Sequence, residues 1–202
     1  DGGAQSELLV APAASVVPAP AGATAAQAST LPMNGLTALL GLEALRSAAG
    51  ETLVVSGGAG LLASYVIPLA KERGLRVVAD AKPEDEELVR GFGADVVLPR
   101  GPEFPATVRD VAPEGADGFF DTALLGRAAF PALRDGGGLV AVRGWQGPAE
   151  REIDVHPILV STVVERTDWL LRLRELAESG RLALRVAATI PLERAADAHR
   201  LM

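Results

Sequence analysis

An apolar run, Thr52-Leu-Val-Val-Ser56, passes through Gly57 into Gly58-x-Gly60-x-x-Ala63 and then into an amphipathic stretch over 61–73. Strand, glycine turn and helix in that order leave few folds open. The first glycine permits a tight turn, the second lets backbone approach a pyrophosphate, and the small third residue lets the helix pack on the strand. Phosphates would then sit at the helix N-terminus, where free N–H groups and the helix dipole favour negative charge. Leu75-Arg-Val-Val-Ala79 reads as a second strand, and Asp80 follows Gly58 by 22 residues. An acid at that distance is placed to hold ribose hydroxyls. Leu61 adds bulk beside the expected pyrophosphate, although only its N–H is needed, and Leu62 and Ala63 complete the turn. The competing reading is a glycine-rich turn that binds nothing.

From Gly50 onward, short β-branched runs alternate with amphipathic stretches: Leu53–Ser56 then 61–73, Val77–Ala79 then 84–91, Val96–Leu98 then 103–112. Gly118–Asp121 then 125–133 and Leu139–Val142 then 164–179 continue the series, and Ala187–Ile190 and Leu192–Leu201 read as a last strand and helix. Strands that are almost continuously apolar imply a parallel sheet covered on both faces. The expected fold is therefore α/β, a Rossmann-type doubly wound sheet occupying 29–202. Residues 1–28 differ. Ser6–Val10 and Ser15–Val17 read as short strands whose Pro12, Pro18 and Pro20 confine them to edges, and an ordered connection is preferred over a disordered linker. Leu31–Leu45 reads as an apolar helix with Pro32 in its first turn, where proline is favourable.

Composition removes several function classes. With 202 residues and no cysteine, there is no thiolate nucleophile and no cysteine-ligated metal. A formal charge of −7 argues against a nucleic-acid surface. No apolar run approaches the roughly 18 residues of a membrane span, and Asp1-Gly-Gly-Ala has no signal-peptide character, so a cytoplasmic location is the default. His156, read as a loop residue before Pro157, and His199 are far apart in sequence and lack neighbouring ligand-spaced carboxylates. No metal site is expected.

Many short segments, in order, resemble the zinc-independent, quinone-oxidoreductase-like branch of the medium-chain dehydrogenase/reductase superfamily. They include Gly3–Val10, Leu31-Pro-Met-Asn-Gly-Leu-Thr-Ala38, Gly50–Gly57 with the glycine turn, and Ser64–Ala70. Leu88–Asp95, Phe119-Phe-Asp-Thr122, Gly136–Gly144, Gly180-Arg-Leu182 and Pro191–His199 complete the set. The resemblance implies that 1–28 is the remnant of a barrel-like catalytic domain and its connection, most of which the chain lacks. It also implies a homodimer through 139–160, because Glu152-Ile-Asp-Val155 alternates as an open sheet edge would.

The resemblance further implies a hydride transfer from nicotinamide to an electron-poor small-molecule acceptor such as a quinone, enone or aldehyde. A non-catalytic nucleotide-binding or scaffolding module, and an enoyl-reducing unit of a larger synthase, remain as alternatives. Met33 occupies the place where zinc-using relatives take a ligand, and a thioether is a poor one. Thr37 and Asn34 are implied to reach the nicotinamide and its phosphate, or else only satisfy helix-end hydrogen bonds. Ser56 either supports the turn or donates to a phosphate. Asp121 and Thr122 are implied near the adenine side and Gly144 near the carboxamide, while Trp145 is a substrate wall or a loop plug. Asp135-Gly-Gly-Gly138 reads as a turn before a strand, and Tyr65 as a packing residue. Asp80 favours NAD over NADP, whose extra phosphate it would repel, whereas Lys82 or Arg100 could neutralise that phosphate. No residue is assigned as catalytic.

Overall fold

The computed structural model describes residues 8–148 and 150–201. Six strands form one sheet in the order β3-β2-β1-β4-β5-β6, with every neighbouring pair parallel. They are β1 (Thr52–Val55), β2 (Arg76–Ala81), β3 (Val96–Pro99), β4 (Ala116–Asp121), β5 (Leu133–Ala141) and β6 (Asp154–Pro157). The helices are α1 (Ala25–Ser29), α2 (Leu31–Leu45), α3 (Ala63–Glu72), α4 (Glu86–Gly91), α5 (Phe104–Val111), α6 (Thr167–Glu178) and α7 (Ala195–Leu201). This is the doubly wound Rossmann topology, and its order reverses between β1 and β4.

The continuous apolar character of the strands is explained by two cores. Leu53, Val55, Val77, Ala79, Phe120 and Val140 point to the face covered by α2, α3 and α6. Their chain neighbours Val54, Val78, Phe119 and Leu139 point to the other, where Phe104 and Val108 of α5 meet them. Period-two alternation thus fills both faces. Helix α2 is apolar around most of its circumference because it is wedged between the sheet and α6. A Cβ at Gly35 would stand 2.6 Å from Leu173 Cδ1 of α6, and one at Gly41 would overlap the Phe120 ring of β4.

Several expected elements differ. Residues 6 and 7 of the first expected strand lie outside the described residues, and 8–10 form no strand. Ala13–Ser15 is a single 3-10 turn, after which Val16 and Val17 join no sheet. Prolines on both sides leave that segment little ladder to build. It instead lies against α6, with Thr167 Oγ1 donating to Ala14 O (2.7 Å) and Ala21 N to Glu178 Oε1 (2.8 Å). No strand forms over Ala187–Ile190, since Ala187, Ala188 and Thr189 are exposed and bury nothing that would hold one. The 125–133 helix is a 3-10 segment, Gly126–Ala132, interrupted by Pro131. The expected turn at Asp135–Gly138 lies inside β5, where the pairing with β4 shifts register between Ala116 and Gly118. Gly136 there has φ +69°, so these glycines make a bulge. His156 sits on β6 and not in a loop.

Gly41→Ala tests the wedge. Alanine is the better helix former by about 1 kcal/mol, yet its methyl has no room against Phe120. Urea denaturation is expected to show a net loss of about 1–3 kcal/mol, and a gain in stability would show that α2 does not press on the sheet.

Candidate nucleotide-binding site

At its carboxyl end β1 gives way to Ser56, a polar residue that is fully buried. Its hydroxyl donates to Asp121 Oδ1 of β4 (2.8 Å) and accepts from Ala123 N (3.0 Å), while its carbonyl accepts from Thr122 Oγ1. Asp121 also receives Leu125 N on Oδ1 (3.0 Å) and Gly126 N on Oδ2 (2.8 Å). Its carboxylate is therefore occupied by protein donors and only 2% exposed. Ser56, Asp121 and Thr122 tie the two strands that flank the switch point, the place where open α/β sheets bind their ligands.

The turn that follows uses its glycines differently from the sequence pattern. The positive φ needed for the sharp change of direction belongs to Gly57 (+65°), one residue before the motif. Gly58 is required by close packing, because a Cβ there would lie 2.5 Å from Asp80 O. Its amide donates to both Asp80 O (3.1 Å) and Asp80 Oδ1 (3.2 Å). Gly60 N returns to Gly57 O (2.8 Å), and a Cβ at Gly60 would stand 2.9 Å from that oxygen.

Five carbonyls of the turn are engaged by protein donors. Gly57 O accepts from Gly60 N, Gly60 O from Ser64 N, Leu61 O from Ser64 Oγ, and Leu62 O from the amides of Tyr65 and Val66. Ala59 O accepts from Arg185 Nη1 at 2.9 Å. By contrast, the amides of Leu61, Leu62 and Ala63 donate to no other described residue. Three free N–H groups thus stand together at the start of the ten-residue α3, where amides and the helix dipole favour negative charge. The Leu61 side chain is partly exposed and Ala63 is buried, so the bulk of leucine does not close this surface.

Asp80 lies within β2 and is 4% exposed, with Arg100 Nε 3.8 Å from its Oδ2. Lys82 turns instead to Glu84, at 4.0 Å, and its side chain is largely exposed. Asn34 Nδ2 donates to Thr30 O (3.0 Å) and Thr37 Oγ1 to Met33 O (2.7 Å), so both satisfy carbonyls of their own helix region. Gly144 has φ +82° with open space around it. Trp145 stacks on Phe130 (centroids 5.6 Å apart, planes at 28°), its indole N–H donating to Gly147 O, which is the arrangement of a loop plug. The Tyr65 hydroxyl is fully buried against Thr30 Oγ1 (2.9 Å), and burial raises its pKa above the ordinary tyrosine value. Sequence reasoning missed Arg185: a lone arginine 126 positions from its partner carries no local signal. An open depression of about 580 Å³ between α2 and β6, lined by Glu43, Arg46, Asp154 and His156, lies at the amino ends of the strands. That is the side opposite the turn.

The sequence model of the family described as zinc-binding dehydrogenase matches residues 92–202. The chain belongs to this family, in the quinone-oxidoreductase-like branch of the medium-chain dehydrogenase/reductase superfamily. It is 33% identical over 177 residues to an NADPH-dependent alkenal/one oxidoreductase, chloroplastic, of Arabidopsis thaliana, covering 86% of this chain and 43% of that protein. Against 2-methylene-furan-3-one reductase of Solanum lycopersicum it is 28% identical over 159 residues, 78% of this chain and 38% of the relative. A solved NAD-dependent alcohol dehydrogenase superposes with a TM-score of 0.82 at 26% identity, over 98% of this chain and 61% of the other. The chain thus spans less than half the length of these curated relatives. Despite the family's description, no group of three or more His, Cys, Asp or Glu among the described residues is arranged to hold a metal ion, and Met33 is exposed.

Replacing Asp121 by Ala strands a buried hydroxyl and two amides at once. A loss of about 3 kcal/mol is expected in chemical denaturation, and an unchanged midpoint would remove the β1–β4 tie from the account.

Proposed function

We propose that this chain is the nucleotide-binding part of an NADPH-dependent, zinc-independent reductase acting on an electron-poor acceptor, an enone or quinone. The reading is carried by the three free amides at the start of α3 beside carbonyls that protein donors already engage. They would bind the pyrophosphate, and the bound dinucleotide would supply the hydride. The protein's own part is to bind and orient: Ser56, Asp121 and Thr122 hold the floor of the cleft, and the segment at Gly144 leaves backbone open beside it. Asn34 and Thr37 remain proposed contacts at the nicotinamide end. Tyr65 keeps its proton and faces the interior, so no proton donor is assigned. Residues up to 28 are proposed to belong to a second, acceptor-selecting domain, which the exposed Leu8, Leu9 and Val10 would suit.

NADPH is preferred here over the NAD favoured by the sequence. The Arabidopsis relative is named as NADPH-dependent. In addition, one oxygen of Asp80 is engaged by Gly58 N while Arg100 stands beside the other, which offers a guanidinium to a ribose phosphate. Arg100→Ala is expected to weaken NADPH by about 1.5–3 kcal/mol, the worth of a charge-assisted hydrogen bond, with little effect on NADH. Calorimetric titration of both cofactors checks this. If Arg100→Ala leaves NADPH unchanged while Asp80→Ser selectively weakens NADH, the preference is reversed.

Gly60→Val is expected to abolish binding of either cofactor, since its side chain would press on Gly57 O. Unaltered affinity would move the site elsewhere. Elemental analysis should find no stoichiometric zinc. A homodimer is proposed through β6, which pairs with β5 on one side only among the described strands; a monomeric mass in light scattering at high micromolar concentration would count against it.

A further inference from the structure

We infer that Arg185, in the irregular segment after α6, is a positioning residue for the dinucleotide: it fixes the peptide unit between Ala59 and Gly60 and so aims the free amides of the turn. This rests on the proposed nucleotide site and adds to it a residue 126 positions away.

The Ala59–Gly60 peptide is held at both ends. Its N–H donates to Gly57 O at 2.8 Å, and its C=O accepts from Arg185 Nη1 at 2.9 Å. A peptide plane pinned on both sides cannot rotate about its long axis, and the following amides of Leu61 and Leu62 inherit its direction. In a regular helix start the Ala59 carbonyl would face the Ala63 amide, four residues on. Here the guanidinium takes that carbonyl, and Ala63 N stays free with its neighbours.

The guanidinium is itself held. Its Cζ lies 5.3 Å from the centre of the Phe92 ring, just beyond α4, and the backbone leading to it is anchored where Leu182 is buried and Leu184 packs against the core. Stacking and a planar fork suit arginine and not lysine. The same cation lowers the negative potential of a carbonyl that lies within the anion-binding turn.

Two measurements on the whole 202-residue chain test this, comparing Arg185→Met and Arg185→Lys with the parent. Hydrogen exchange of the unliganded protein is expected to speed up over 57–66 in Arg185→Met while the strands keep their protection. Calorimetry is expected to show NADPH and ADP-ribose, which share the pyrophosphate, both weakened about tenfold or more, the cost of a charge-assisted hydrogen bond. Arg185→Lys is expected to recover only part of that loss. Unchanged exchange over the turn in Arg185→Met, or full recovery of affinity in Arg185→Lys, would overturn the positioning role. If the parent protein binds no dinucleotide at all, the nucleotide site itself fails, whereas the exchange result still decides whether Arg185 orders the turn.

Discussion

A strand in the middle of a parallel sheet covered on both faces has only one place to present a polar group, its end. Leu53, Val54 and Val55 of β1 are wholly enclosed, each contributing about 1.5–3 kcal/mol of burial if judged by side-chain transfer, and neither face leaves room for chemistry. The polar contacts of this strand therefore collect just past Val55. Ser56 meets Asp121 there, and the sharp turn at Gly57 begins. The remainder of the architecture follows from keeping that strand dry: α2 wedged through Gly35 and Gly41, α3 returning over the sheet, and α5 closing the far side.

How much of this was legible in the sequence depended on the range of the interactions. The strands of the five expected βα alternations were readable because a doubly covered strand needs an unbroken apolar run, and the glycine turn because backbone sterics act over a few residues; the fourth helix came out as a 3-10 segment broken by Pro131. The expected strand at Ala187–Ile190 failed because two alanines and a threonine bury too little to recruit a partner. The turn expected at Asp135–Gly138 became a bulge inside β5, since pairing with β4 began earlier than hydropathy suggested. Asp80 was singled out from spacing alone, but its bond to Gly58 N could not be read there. Arg185 was invisible for the same reason that Arg100 could be considered only as a candidate: guanidinium reach is decided by tertiary placement.

The turn also shows why residue type and role separate. The motif's first glycine was expected to make the bend, yet Gly57 makes it, and Gly58 is small so that β2 can approach. Likewise Asp121, placed by resemblance beside the adenine, spends its carboxylate on three protein donors. A residue can line a cleft and still act entirely on its own scaffold.

Asp80 answers to two masters, since its main-chain and side-chain oxygens both hold the Gly58 amide while its second carboxylate oxygen faces Arg100. The geometry of the turn and the charge presented to a ribose are consequently not independent variables. A lineage changing its cofactor at this position would also disturb the turn proposed to hold the pyrophosphate common to both cofactors. Drift at Asp80 is thereby coupled to compensation at Gly58 or Arg100, and the three positions are expected to vary together.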